Sequence, residues 1–490
     1  MTEAETQPGV PPPVPRRRSS AFRWSRRGLL VLAAVIAALL FSLLTIDLGP
    51  SLRERAEREA TNYFERPVHI GGLSATLRSG VFVARNVRIE GLTPDAAPFL
   101  KADEIRLHIP LSTLARRDLV VEATMDGWAL TMEMFPGNKS NIPRLRPRST
   151  EPGKFQTNIS YIWARGGWFR LIDHAQPLDL TAENVAVNFT RDLSLDKYVA
   201  TVAFRGGVTN ILSYAPMRLD SMTARLSFDT GNFISVQGLD LVADGTRSHM
   251  TGVLNLNKWP EQYFNISTAF DVAPLKEIFF FGQAFKATGR GEYKGKFQKL
   301  QSGKYDLTGV LKVPGLNVSG FDFPEFDSRV VWMQNRLELV GAHSKFYGGD
   351  LNLTYVLTAL AGPGGSLADL SARYKGVDLT TFGRVMNWQG IELASRADGW
   401  QTMTWPGGRF DSMVGDGEIR AATVDGRAVA APELVAFVSD PARDKPFDRP
   451  MDAVPVSGRV TYRLTPTAIS IQDGWAATPE THLSFHGTTG

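Results

Sequence analysis

Along most of this chain apolar and polar residues alternate one by one. Val81, Val83, Val87 and Ile89 share one parity, as do Ile105, Leu107 and Ile109, and Trp128, Leu130, Met132 and Met134. Val185, Val187 and Phe189 follow, then Tyr198, Ala200, Val202 and Phe204, with Phe264, Ile266 and Phe270 further on. A period of two, bounded by Gly, Asp, Asn or Pro, predicts antiparallel strands with one apolar and one solvated face. Helical spacing is confined to short interludes, where Asp271 is placed to cap Pro274–Phe281 and Asp378 to cap Leu379–Met386. The chain also repeats itself. Ile234-Ser235-Val236-Gln237 returns as Ile469-Ser470-Ile471-Gln472, each with a Gly eighteen residues after its Ile (Gly252 and Gly487). The two interludes match in Asp271, Leu275 and Ile278 against Asp378, Phe382 and Val385. Such repetition predicts one sheet type extended along its length, without a switch of domain type.

Two stretches ahead of this body break the alternation. Gly28 to Ile46 is 19 residues without a charge, about 28 Å as a helix against a hydrocarbon core of ~30 Å. Arginines precede it and Asp47 follows at once, which predicts a cytoplasmic N-terminus and a translocated body. Ser25-Arg26-Arg27 resembles a twin-arginine signal, but Leu39 to Ile46 offers no small-x-small cleavage site, which favours an uncleaved anchor. From Pro50 the spacing turns helical. Ser51 with Glu54 makes a capping box, and Leu52, Ala56, Ala60 and Tyr63-Phe64 form one stripe that ends before Pro67. This predicts a solvated stalk helix with its apolar side docked on the first strands.

Charge and cysteine count narrow the partners. Arg16, Arg17, Arg18, Arg23, Arg26 and Arg27, set against Glu3 and Glu5, account for the whole formal net charge of +4. The alkaline pI therefore belongs to the tail, and the body offers no basic field for nucleic acid. Without Cys there are no disulfides, thiolate metal sites or Cys nucleophile. The seven His lack zinc-ligand spacing, and His482 and His486, four apart in a strand-like segment, do not meet as they would on a helix. Gly289-Arg290-Gly291 with Gly295 misses the dinucleotide pattern, and no G-x-S-x-G elbow occurs. The residues thus predict no enzyme, no cofactor and no metal. The organisation reads as a disordered tail (1–27), a transmembrane helix (28–46), an N-terminal unit of exit helix plus strands (47–143), a Pro-rich basic linker (144–154) and a repetitive β body (155–490).

The order of features resembles the AsmA-like superfamily of bacterial envelope proteins, which includes AsmA, TamB and their bridge-like relatives. The family has a basic tail, one span, an exit helix and a "G-R-P-[VI]-x-[IV]" segment, here Glu65-Arg66-Pro67-Val68-His69-Ile70 with Glu65 in place of Gly. Its "N-[VI]-x-[IVL]-x-G" strand end is Asn86-Val87-Arg88-Ile89-Glu90-Gly91. Phe99 to Leu107, Pro110 to Leu114, Asp118 to Glu122 and the Asn141-Ile142-Pro143 closure complete the unit, and Phe346-Tyr347-Gly348-Gly349-Asp350 matches the aromatic-Gly-Gly turn. The chain stops at Gly490 without the family's usual C-terminal signature, the expectation for a truncated or short relative.

The resemblance implies a mainly β protein: one N-terminal transmembrane helix, then an elongated, curved antiparallel sheet forming a trough on which acyl chains lie. Too few helical residues are present to cover a wide one-sided sheet, which leaves a curled trough and a closed two-sheet sandwich open on pattern alone. The implied function is binding or conduction of phospholipid between envelope membranes, with the inner membrane held through 28–46 and a partner in the outer membrane. The candidate lining is Leu226, Phe228, Leu337, Leu339, Leu351, Leu353 and Tyr355. A second expectation is a scaffold for assembling outer-membrane or secreted β-proteins through an open sheet edge. A conduit needs an unbroken apolar face from strand to strand; a scaffold tolerates polar interruptions but needs a free edge.

Overall fold

Alternation over so many segments produces one very wide sheet of 25 strands in the computed structural model. The structure describes residues 50–489 apart from 77–79, 111–117, 137–138, 144–155, 175–177, 193–196, 212–213, 229–232, 259–260, 281–283, 359–364, 389–391 and 424–453. The expected tail, transmembrane helix and linker lie outside the described residues. Among those described, no helix is long and apolar enough to cross a membrane.

Helix α1 (Pro50–Phe64) leads into β1 (Val68–Thr76), β2 (Val81–Ile89), β3 (Leu100–His108) and β4 (Asp118–Phe135), each antiparallel to the last. The two-residue β5 (Lys139–Ser140) closes on the end of β4, and β6 (Gln156–Asp173) pairs parallel to β4, so the sheet continues across the expected linker. Next come β7 (Leu178–Asp192), then β8 (Lys197–Arg205) and β9 (Gly207–Ile211), two halves of one strand broken at Gly206, both lying between β7 and β10 (Met217–Phe228). The meander runs on through β11 (Phe233–Ala243), β12 (Thr246–Asn255) and β13 (Gln262–Asp271). Helix α2 (Val272–Phe279) and β14 (Ala287–Thr288) precede β15 (Arg290–Lys299), which pairs with β13. Then follow β16 (Tyr305–Val318), β17 (Phe321–Met333), β18 (Arg336–Phe346), β19 (Gly349–Thr358) and β20 (Leu367–Asp378). After helix α3 (Leu379–Val385) the last strands are β21 (Ser395–Pro406), β22 (Val414–Thr423), β23 (Ser457–Thr465), β24 (Ala468–Ala477) and β25 (His482–Thr489).

A transverse line of left-handed residues crosses the first strands from β2 to the break between β8 and β9. Asn86, Gly127, Gly166, Asn184 and Gly206 have φ of +52°, +59°, +59°, +49° and +87°. The register aligns them, because Arg85 opposes Glu104, Glu104 opposes Asp126 and Asp126 opposes Arg165. The line continues as Glu183 N–H bonds to Gly206 O and Gly206 N–H to Asp220 O. At each the strand leaves the regular pleat and the side-chain parity switches. Buried side chains in β2 are therefore Phe82, Ala84, Val87 and Ile89. Val81 and Val83 belong to the other face, which corrects the single parity expected across Arg85-Asn86.

The two helical interludes form at the expected places. Asp378 accepts a hydrogen bond from Thr381 N–H at 3.0 Å. Asp271 makes no cap hydrogen bond, and its carboxylate instead accepts from Arg290 Nε at 3.1 Å. The tetrapeptide repeat also occupies equivalent positions. Val236 opposes Gly252 and Ile471 opposes Gly487, and a bulge follows each within three residues. At Tyr347-Gly348 both residues have positive φ, making the tight turn that joins β18 to β19.

Candidate ligand-binding face

Directly opposed residues of paired strands lie on the same side of a sheet, so the register traces one face from β1 to β25. It carries Val68, Ile70, Val87, Ala102, Trp128 and Ala182, then Phe204, Ala224, Leu239 and Met250. It continues through Ile266, Tyr293, Leu311, Val330, Leu339, Leu353, Leu370, Met403, Ile419, Val460, Ile471 and Phe485. Among the described residues, this face bears ionisable side chains of the Asp, Glu, Lys, Arg and His types only at Asp173, Arg191 and Lys299. Each is the last or next-to-last residue of its strand.

The charges are gathered on the opposite face, where they pair with one another. Arg165 grips Asp126 through Nε at 2.9 Å and Nη2 at 3.1 Å, and Arg170 grips Asp179 at 3.0 and 2.7 Å. Glu418 lies between Arg420 and Arg459, whose guanidinium groups, Arg459 foremost, hold its carboxyl below the usual range. Cross-strand pairs of this kind keep a charged face together without lending polarity to its reverse.

All three helices cover parts of the apolar face, α3 through Phe382, whose ring meets those of Phe321 and Phe346. The stripe Leu52, Ala56, Ala60 and Phe64 of α1 is buried, and its last three residues join a core cluster with strands β1 to β11. Val272 and Leu275 of α2 pack on a second cluster built from Phe270, Tyr293, Val313, Phe326, Val330 and Ala342. The end of α2 reaches Tyr214 and Ala215, where Ala215 N–H bonds to Ile278 O at 3.1 Å and Tyr214 and Phe279 meet Trp332 edge to face. From β20 onward no helix among the described residues lies over most of the face, and Leu370, Met403, Trp405, Val460 and Ile471 remain half-buried.

All seven candidate lining residues fall on this one face, in two places. Leu226 and Phe228 pack against the first cluster, with Phe228 tilted on Phe189 at 5.5 Å between ring centroids. Leu337, Leu339, Leu351, Leu353 and Tyr355 adjoin on β18 and β19, where Leu339 opposes Tyr355 and Ser344 opposes Leu351. Burial pushes the phenols of Tyr293 and Tyr355 up to about 12, so both are neutral donors at physiological pH. Several residues of the same face escaped the sequence reading: Leu370, Tyr374, Gln401, Met403, Trp405 and Tyr462. Their strands mix in glycine and polar residues, so short parity runs did not single them out.

At the other end of the sheet, α1 closes the outer edge of β1. Glu57 and Thr61 accept the N–H groups of Ile70 and Val68, and Arg53 donates to Gly71 O. Among the described residues no three His, Asp or Glu side chains gather as metal ligands. Compared with models of protein families and with curated proteins, the sequence matches none.

Proposed function

We propose that the protein is an inner-membrane-anchored periplasmic lipid carrier of AsmA-like type. In this reading the sheet curls along its length into a trough, and acyl chains of phospholipid lie on its apolar face while passing between envelope membranes. One observation carries the proposal: among the described residues, a face running through the whole sheet keeps Asp, Glu, Lys, Arg and His away except at three strand ends. Soluble sheets with a solvated side do not need such a face to be continuous; a path for hydrocarbon does, because each buried unpaired charge would stop it. Burial of apolar area at about 25 cal/mol per Å² supplies the binding, with little dependence on headgroup. In this reading the anchor is the uncharged stretch 28–46.

The assembly-scaffold alternative needs an edge free to pair with a client strand. The hydrogen bonds from α1 take up one of the two edges, at β1, and leave β25 as the edge such a client would have to use.

Native mass spectrometry of the full chain, extracted in mild detergent from bacterial membranes, tests the proposal. Co-purified phospholipid is expected, and it is lost in the Leu353→Asp/Tyr355→Asp variant while circular dichroism stays β-rich. Folded wild-type protein free of lipid would overturn the reading and return the assembly scaffold to first place.

A further inference from the structure

Between β20 and β23 the apolar face contains one polar island. Tyr374 directly opposes Gly399, Gly399 opposes Ile419, and Gly417 lies between Gln401 on one side and Tyr462 on the other. Both tyrosine rings lie flat across the glycine they oppose. A Cβ built on Gly399 would stand 2.3 Å from the Tyr374 hydroxyl, and one on Gly417 would stand 2.4 Å from the Tyr462 hydroxyl. The two phenols thus converge over the β21–β22 pair from opposite sides, with the Gln401 carboxamide on the same face between them.

These groups have hydrogen-bonding capacity to spare. The recorded bond of Tyr374 is a long one, 3.5 Å to Glu418 O. Among the described residues neither the Gln401 carboxamide nor the Tyr462 hydroxyl has a hydrogen-bond partner. Every Asp, Glu, Lys, Arg and His in β18 to β25 projects from the other face, so among the described residues of these strands nothing neutralises an anion here. A phosphate brought onto this floor would lose its water without gaining a counter-charge. An uncharged acceptor would instead meet two hydroxyl donors and an amide.

We infer that Tyr374, Gln401 and Tyr462 form a subsite for the carboxylic-ester region of an acyl lipid, holding its glycerol esters on the floor while any phosphate stays at the rim. The inference rests on the lipid reading above and adds a fixed polar station to an otherwise non-directional surface. Burial holds the phenols of Tyr374 and Tyr462 above the ordinary range, so both remain donors at any physiological pH.

The test uses the full chain in detergent and two probes of similar chain length, monohexadecanoylglycerol and hexadecane, each displacing an apolar fluorophore. Wild-type protein should bind both, the ester more tightly. The variant Tyr374→Phe/Gln401→Leu/Tyr462→Phe keeps the flat rings and removes the polar atoms. It should weaken the ester about tenfold and leave hexadecane within about twofold. Tyr462→Phe alone deletes a hydroxyl that the fold does not use, so it should give a smaller, ester-selective loss in protein of unchanged stability. Equal effects on both probes, no effect on either, or no ester preference in the wild type would overturn the subsite while leaving the trough standing. Failure of the wild type to bind hexadecane as well would remove both.

Discussion

The carboxylate of Glu57 accepts a hydrogen bond from the backbone N–H of Ile70 at 2.6 Å. One turn along α1, Thr61 Oγ1 accepts from Val68 N–H at 3.0 Å, and one turn back, Arg53 Nη1 donates to Gly71 O at 3.4 Å. Residues 53, 57 and 61 are spaced by four, so one helical stripe meets consecutive groups along the β1 edge. An unpaired edge is a template for further strands, and here side chains stand in for the missing neighbour.

Removing that cover should be felt locally. Glu57→Ala with Thr61→Ala leaves the Val68 and Ile70 amides without acceptors at a cost of about 1–3 kcal/mol. Amide exchange should accelerate in a peptide covering 68–76 and not in one covering 100–108. Sedimentation should reveal self-association through the freed edge; unchanged exchange at Val68 and Ile70 would mean the stripe contributes nothing.

Glu65 ends α1 in the left-handed region, with φ of +51°, and Arg66 N–H reaches back to Thr61 O at 3.2 Å. That geometry favours glycine. A non-glycine residue loses about 1–2 kcal/mol there, part of which glycine gives back as chain entropy. Glu65→Gly is therefore expected to raise the thermal midpoint, by the equivalent of about 1 kcal/mol, while Glu65→Val should lower it.

Gly167 sits against Trp128 on the parallel neighbour strand, and a Cβ there would lie 2.2 Å from the indole. Trp128 is buried in the first core cluster and has nowhere to retreat. Gly167→Ala should cost about 1–3 kcal/mol by overpacking. Pairing it with Trp128→Leu should recover part of that loss, a non-additivity visible in a double-mutant cycle of melting temperatures.

Parity was legible wherever a run did not cross a left-handed residue. Val185, Val187 and Phe189 share a face as their spacing predicts, and so do Leu351, Leu353 and Tyr355. It failed at β2, because one left-handed Asn86 reverses the side-chain order and alternation alone carries no sign of it. The consecutive polar pairs Arg85-Asn86, Asp126-Gly127 and Glu183-Asn184 were the available signal, since both members face solvent at a bulge. How faces line up between strands was not legible, because turn lengths and bulges set register. Tyr374, Gln401 and Tyr462 were missed for the same reason: the glycines beneath the tyrosines belong to neighbouring strands.

Alkaline stability should report the buried phenols. Tyr293 and Tyr355 titrate near 12 in the folded protein against 10.0 when exposed, raised by burial. Below pH 10 both states keep the proton and the native fold has its full stability. Between about pH 10 and 12 the unfolded chain releases protons that the native chain retains, so stability falls as pH rises through that window. Above about 12 both states are ionised and the contribution is gone. Thermal midpoints measured from pH 8 to 12 should therefore drop after pH 10, and Tyr355→Phe should flatten the drop. Phenolate absorbance at 295 nm should lag the unfolded reference by about two pH units for these residues. A native titration centred on pH 10 for all tyrosines would show that water reaches this face freely, and would count against a surface dry enough to hold hydrocarbon.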